Sequence, residues 1–256
     1  MTRTLNATSS PLSAQLEVGP GPIDPEAVAG LINTALAAHG WAHVGRPLSD
    51  AEFVAIGGCL GTIELRTDLL VNSDLARQQR LDLGPDAVGR PVLYEAGGMD
   101  FHTDRPTIQV LAWRCVEPDA SGGESQWIDV RDLDGTFSAA EIEAMGRIEV
   151  GYAINNGSSG MEVRYAPLVE RGPAGLLVFY VPWRVKRPLS DAEAELLERF
   201  AGYVRAKCAG ELKTLRLSRG ACLFLDNRRM LHGRASLPPD SRRHLVRLYI
   251  RRDERG

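Results

Sequence analysis

Cys222-Leu223-Phe224-Leu225-Asp226-Asn227-Arg228-Arg229-Met230-Leu231-His232-Gly233-Arg234 opens as an apolar strand, passes through a polar cluster and ends on a histidine beside a glycine. The chain has only five histidines, His39, His43, His102, His232 and His244, so the place of each is informative. Gly233 tolerates close backbone approach next to His232. A second histidine stands 130 residues upstream, in Met99-Asp100-Phe101-His102-Thr103-Asp104-Arg105-Pro106. In an extended segment residues i and i+2 share a side, so His102 and Asp104 present an imidazole and a carboxylate to one cavity. Alone, His-x-Asp occurs by chance in many proteins and equally fits a surface histidine near an aspartate. With His232 it becomes two imidazoles and one carboxylate, a facial donor set that suits Fe(II) and leaves three adjacent positions open. Zinc more often takes a tetrahedral site with fewer openings. His39, His43 and His244 have no such partners and read as structural.

Downstream, Arg243-His244-Leu245-Val246-Arg247-Leu248-Tyr249-Ile250 alternates. As a strand it places Arg243, Leu245, Arg247 and Tyr249 on one face and His244, Val246, Leu248 and Ile250 on the other. The second face is apolar enough to pack against helices, which turns both arginines the opposite way. A buried guanidinium needs an anion, and its fork matches a carboxylate. From this segment alone, two solvated arginines on an outer face fit as well.

The rest of the chain sets the frame for these motifs. It has 256 residues, 44% hydrophobic and 25% charged, the composition of a folded domain rather than a fibrous or disordered chain. A core of this size needs neither disulfides nor a structural metal, so a metal here would serve chemistry. The net charge of −3 gives no basic excess for nucleic acid or an anionic membrane. No apolar run reaches membrane-spanning length. Cys59, Cys115, Cys208 and Cys222 are widely spaced with no CxxC pair, and read as buried free thiols of a reducing cytoplasm. Residues 1–22, rich in Ser, Thr, Gly and Pro, are expected to be a disordered tail with no secretory signal, and residues 23–256 a single domain.

Helix starts are legible from capping chemistry. Asp24-Pro25 gives an N-cap acceptor and a proline at N1, with the helix ending at Gly40. Ser49/Glu52, Ser138/Glu141 and Ser190/Glu193 are capping boxes, the last opening a helix with a Leu196, Leu197, Phe200, Val204 stripe ended by Gly210. Strand-like runs cover 41–44, 107–116, 125–130, 148–153, 176–181, 221–225 and 244–251. Gly, Pro, Asp and Asn clusters separate them, not regularly alternating helices, which disfavours a doubly wound parallel sheet. The expected fold is α+β, mainly β, with a jelly-roll core and helices packed outside.

Together, His-Thr-Asp at 102–104, the Asp226 to Arg234 segment and Arg243-His244-Leu245-Val246-Arg247 resemble the Fe(II)/2-oxoglutarate-dependent dioxygenases of the taurine dioxygenase and clavaminate synthase-like superfamily. The resemblance runs from about Trp41 to Arg251 and includes Gly122-Gly123-Glu124-Ser125, similar to the family's Gly-Gly-acid-Thr/Ser turn. It implies a double-stranded β-helix, with Fe(II), 2-oxoglutarate and O2 as cofactor and cosubstrates. His102, Asp104 and His232 would be the iron ligands. Ser125 and Arg243 would hold the distal carboxylate of 2-oxoglutarate, and Arg247 would meet either its 1-carboxylate or an acidic group of the substrate. Succinate and CO2 would be released as an unactivated C–H bond is hydroxylated. Related halogenases replace the carboxylate ligand by Gly or Ala; Asp104 is retained here, which disfavours halogenation and leaves desaturation or ring formation open.

Substrate contacts are expected from Tyr94, Glu95, Asn156, Arg164 and Arg247, on loops and strand ends around the core. Arg247 and Glu95 would suit a small carboxylate or zwitterion, such as a free amino acid. A sulfonate, an aryloxy acid or a natural-product intermediate is the alternative. The competing classes on the same fold are a metal-dependent hydrolase, which would not need the Ser125 and Arg243 anchor, and a catalytically silent binding protein, which would be expected to have lost a ligand, whereas all three ligand positions are present.

Overall fold

A computed structural model describes residues 14–70, 98–155, 161–173, 175–238 and 241–252, without the side chains of 65–70, Asn155 and Met161. The local capping chemistry is realised throughout. Helix α1 (Pro25–His39) starts where the Asp24 carboxylate accepts from the Glu26 and Ala27 amides, and ends where Gly40 takes φ 78° and returns its N–H to Leu36. Helices α2 (Asp50–Leu60), α4 (Ala139–Met145) and α5 (Asp191–Glu211) each open with a complete reciprocal capping box. A four-residue α3 (Leu133–Thr136) precedes α4. Because the Ser190 hydroxyl accepts the Glu193 amide, Ser190→Ala is expected to cost about 1 kcal/mol, read as a shift in urea midpoint with no change in m.

Fourteen strands are formed among the described residues. Strands β1 (Gln15–Leu16), β2 (Trp41–Val44), β12 (Cys222–Asp226), β5 (Val110–Glu117), β14 (His244–Arg251) and β3 (Thr62–Leu70) make a six-stranded sheet in that order. Strands β11 (Lys213–Leu215), β6 (Ser125–Asp129), β13 (Met230–Arg234) and β4 (Met99–His102) make a four-stranded one. Two hairpins, β7 (Glu149–Asn155) with β8 (Met161–Pro167) and β9 (Val169–Gly172) with β10 (Gly175–Val178), complete the set. Every pairing is antiparallel except β1 with β2.

Alternation sorts the core into three layers. On β14, Val246, Leu248 and Ile250 join Val28, Ile32, Phe53 and Ile56 of α1 and α2, as the alternating pattern requires. A Cβ at Gly57 would meet Leu248 Cδ1 at 2.6 Å, so α2 lies directly on the sheet there. Leu245 and Tyr249, on the opposite face, pack with Leu111, Trp113, Trp127 and Met230 between the two large sheets. Ile128 and Leu231 turn the other way, onto Ile142, Met145, Leu196 and Phe200 of α4 and α5. Each fully buried side chain of this kind contributes about 1.5–3 kcal/mol.

Several expectations need correction. The tail expectation fails for residues 14–22: Leu16 is buried, β1 pairs with β2, and Arg46 donates to the carbonyls of Gly19 and Gly21. The run expected from Thr107 begins at Val110, because the Ile108 amide is taken by the Arg105 carbonyl in a turn. The last helix continues one residue past Gly210. The cysteines are free, but only Cys115 and Cys222 are buried; Cys208 is half-buried and Cys59, on α2, is exposed. No helix among the described residues is long and apolar enough to cross a membrane.

Candidate metal centre and carboxylate anchor

His102 is the last residue of β4, and His232 is the middle of β13, directly opposite it in register. The two strands come close because position 233 is glycine: a Cβ there would sit 2.6 Å from the Met99 carbonyl oxygen. Asp104 follows in the loop after β4, so His102 and Asp104 do not share an unbroken strand as the extended reading assumed. Candidate ligand atoms of His102, Asp104 and His232 nevertheless all lie within 4.8 Å of one another, and this is the only such His/Cys/Asp/Glu cluster among the described residues.

Two clamps hold the His-Thr-Asp segment. Thr103 bonds Tyr180 twice, donating its amide to the Tyr180 carbonyl and accepting the Tyr180 amide at Oγ1 (2.8 and 2.9 Å). Asn227, 1% exposed, accepts the Asp104 amide at 2.8 Å and donates to the carbonyls of Arg105 (3.2 Å) and Ile108 (2.9 Å). Neither residue was singled out from sequence, although Asn227 stands in the quoted motif. The imidazoles are walled by Trp183, 5.4 Å from the His102 ring, and Trp113, 5.3 Å from the His232 ring.

The electrostatics favour a cation between these groups. His102 Nδ1 is 2.8 Å from the Asp100 carbonyl oxygen, which fixes the proton on Nδ1 and leaves Nε2 a lone pair. That Nε2, like both ring nitrogens of His232, is buried and has no hydrogen-bond partner. Burial, aided by the neighbouring His102, lowers the His232 pKa to about 3, and burial also lowers that of His102. Burial works to raise the Asp104 pKa, but Arg247 and the two imidazoles outweigh it and hold the carboxyl ionised. Two neutral imidazoles with unused lone pairs and one carboxylate fit a divalent metal; without one, the orphaned nitrogens carry an unrelieved burial cost.

A second polar cluster lies where β6 begins. Arg243 Nη2 donates to Ser125 Oγ at 3.1 Å. The turn before β6 makes room for it: Gly122 and Gly123 have φ of 71° and 67°, and a Cβ on Gly123 would meet Arg243 Cδ at 2.9 Å. Asp119 fixes the approach by accepting from the Ser241 hydroxyl and the Arg242 amide, and Ser241 in turn accepts the Arg243 amide. Burial pushes the Arg243 pKa down to about 10, and burial together with Arg243 does the same to Arg234, whose position on β13 pairs with Ser125. A desolvated guanidinium beside a hydroxyl favours an incoming anion.

Other expected residues are placed differently. Arg247 is buried, donates from Nη1 to Asp104 Oδ2 at 2.9 Å and lies over the Tyr249 ring. Arg164 is on the exposed face of β8 with its guanidinium held by both Glu162 oxygens at 2.9 and 3.1 Å, and no contact joins it to the cluster. Tyr94, Glu95 and Asn156 lie outside the described residues.

The family model for the taurine catabolism dioxygenase TauD, TfdA family, matches residues 11–249. The chain belongs to the TauD/TfdA family of dioxygenases. Among solved structures, a taurine dioxygenase from Burkholderia xenovorans is similar at 18% identity and TM-score 0.66, over 93% of this chain and 87% of that one. AAD-2 in complex with Mn(II) and N-oxalylglycine is similar at 13% identity and TM-score 0.67, over 94% and 93%. Asparagine oxygenase with Fe(II), 2S,3S-3-hydroxyasparagine and succinate is similar at 16% and TM-score 0.61, over 96% and 87%. No curated protein sequence matches this chain. In a TauD/TfdA dioxygenase the His-Asp-His cluster is the expected facial triad, and its orphaned nitrogens suit that family's metal.

Proposed function

We propose that this TauD/TfdA protein hydroxylates an unactivated C–H bond of a small carboxylate-bearing substrate, such as a free amino acid, with 2-oxoglutarate and O2 as cosubstrates. In this reading the two facing sheets form the family's double-stranded β-helix within one domain, and His102, Asp104 and His232 hold Fe(II). The observation that carries it is the pairing of a His-Asp-His cluster, its two histidines buried, with a separate half-buried Arg243–Ser125 pair. A metal hydrolase has use for the first but not the second.

Bound Fe(II) supplies the oxidising chemistry, in which 2-oxoglutarate and O2 become succinate and CO2 while one oxygen atom enters the substrate. The residues of the chain set the geometry for it. The Asp100 carbonyl keeps the His102 proton on Nδ1, so the ring can present only Nε2. Arg247 fixes the Asp104 carboxylate and balances its charge. Trp113 and Trp183 exclude water from the imidazoles. Arg243 and Ser125 bind the distal carboxylate of 2-oxoglutarate by charge-assisted hydrogen bonds.

An anaerobic titration with Fe(II) and 2-oxoglutarate, followed in visible absorption, tests the two anchors together. Arg243→Gln is expected to raise the 2-oxoglutarate requirement by roughly 100-fold and Ser125→Ala by less than about tenfold, as fits a charged against a neutral hydrogen-bonding partner. Equal affinity in wild type and Arg243→Gln would remove Arg243 from the cosubstrate site. For the reaction, amino acids and other small acids are screened for substrate-dependent succinate. A complete panel with none above the uncoupled background rejects the carboxylate-substrate reading.

A further inference from the structure

We infer that Arg184 is the anchor for an anionic group of the substrate, held on the Trp183 side of the metal cluster. Arg184 ends a 3-10 turn, Pro182–Arg184, which is separated from Tyr180 by Val181 alone. The two Thr103–Tyr180 hydrogen bonds tie this segment to the residue between two candidate ligands. A bridge between Val150 and Val185 fixes its other end. The Trp183 ring packs on His102, and the Arg184 guanidinium lies where it feels the charge of Asp104 and the Tyr249 hydroxyl.

Arg184 shares its withdrawal from solvent with the other cations nearby, and differs from Arg243 and Arg247 in its partners. It is largely withdrawn from solvent, and burial holds its pKa below the ordinary arginine range. It makes no side-chain hydrogen bond or ion pair with any described residue. Asp104, the acid nearest in effect, is already bonded to Arg247 and committed to the metal cluster. A guanidinium taken from water without an anion is costly, and the cost is recovered when an oxyanion enters. Arg243 is engaged with Ser125 and reserved for 2-oxoglutarate, so the remaining anion is the substrate's own. The inference rests on the oxygenase reading and sharpens it: the substrate carries a carboxylate or sulfonate that meets Arg184 while its reacting carbon faces the cluster.

The test uses full-length protein loaded with Fe(II) and 2-oxoglutarate. The panel holds amino acids, short mono- and dicarboxylic acids and alkylsulfonates, each beside its neutral amide or sulfonamide. Succinate release reads turnover, and anaerobic quenching of tryptophan fluorescence reads binding without it. Substrate-free turnover of 2-oxoglutarate by wild type tests the oxygenase reading independently, so its absence would sink that reading first. For Arg184, wild type is expected to prefer an acid to its amide, the carboxylate and sulfonate arms separating the two anions. Arg184→Gln should erase the preference and raise the KM of the acid about 10- to 100-fold, with a smaller change in kcat, as for loss of a charge-assisted hydrogen bond. Arg184→Lys should retain part of it, since the charge stays but the fork is lost. The thermal midpoint of Arg184→Gln should change little, because no side-chain hydrogen bond or ion pair with a described residue is removed. The inference is overturned if wild type shows no acid-over-amide preference by either readout, or if Arg184→Gln preserves it. It is equally overturned if both variants lose the same large amount of stability, which would make Arg184 a structural strut.

Discussion

His232→Ala is expected to reduce 2-oxoglutarate-dependent oxygen uptake to the protein-free background while leaving the metal-free fold close to its original stability. The two halves of this expectation come from the same observation. Both ring nitrogens of His232 are buried without a well-formed hydrogen bond, and Nε2 is 3.8 Å from Asp104 Oδ2, so little hydrogen bonding is lost with the imidazole in the metal-free chain. Its removal forfeits ring contacts with His102 and Trp113, but it also removes a buried polar group. Fe(II) bound to the native state alone stabilises it by mass action, by about 2.7 kcal/mol at a hundredfold excess over Kd. That metal-dependent rise in thermal midpoint should be present in wild type and absent in His232→Ala. A variant with full oxygen uptake refutes the assignment of the site, whereas a variant that no longer folds without metal refutes the claim that His232 is idle in the fold.

What could be read from sequence divides along a physical line. Contacts that close within a few residues were legible: the N-cap at Asp24 and three capping boxes depend on groups at most three positions apart. The two faces of β14 were legible because alternation with period two survives in any packed strand. The triad was legible as residues in a motif, but not as geometry, since His102 closes a strand and Asp104 lies beyond it. Strand β13 was hidden in its own sequence. Met230, His232 and Arg234 alternate with Leu231 and Gly233, so two of the three residues on one face are polar and break the apolar pattern that marks a strand. Local rules fail there because the strand carries the site. Arg184 gave no sign in Pro182-Trp183-Arg184; only the Thr103–Tyr180 pairing, 77 residues apart, brings it to the cluster.

Asn227 is the strongest instance of such a long-range contact, and its replacement should carry the largest stability loss. Its side chain spans 119 to 123 residues of sequence, accepting the Asp104 amide and donating to the carbonyls of Arg105 and Ile108. It therefore joins the turn between β12 and β13, which precedes His232, to the loop that carries Asp104. Asn227→Ala leaves a buried amide and at least one buried carbonyl unsatisfied, an expected cost of roughly 2–4 kcal/mol. The urea midpoint should fall with m unchanged. Because the freed loop no longer holds Asp104 against His232, Fe(II) affinity should also fall, by about 10- to 100-fold, as when an outer partner of a metal ligand is removed. Asn227→Asp separates the two directions of hydrogen bonding. An aspartate can still accept the Asp104 amide but brings a negative charge against the carbonyl oxygens that Asn227 now serves as donor, so it should be no better than alanine. If Asn227→Asp keeps wild-type stability and metal affinity, the donor half of the clamp is unnecessary and Asp104 is positioned by its own loop.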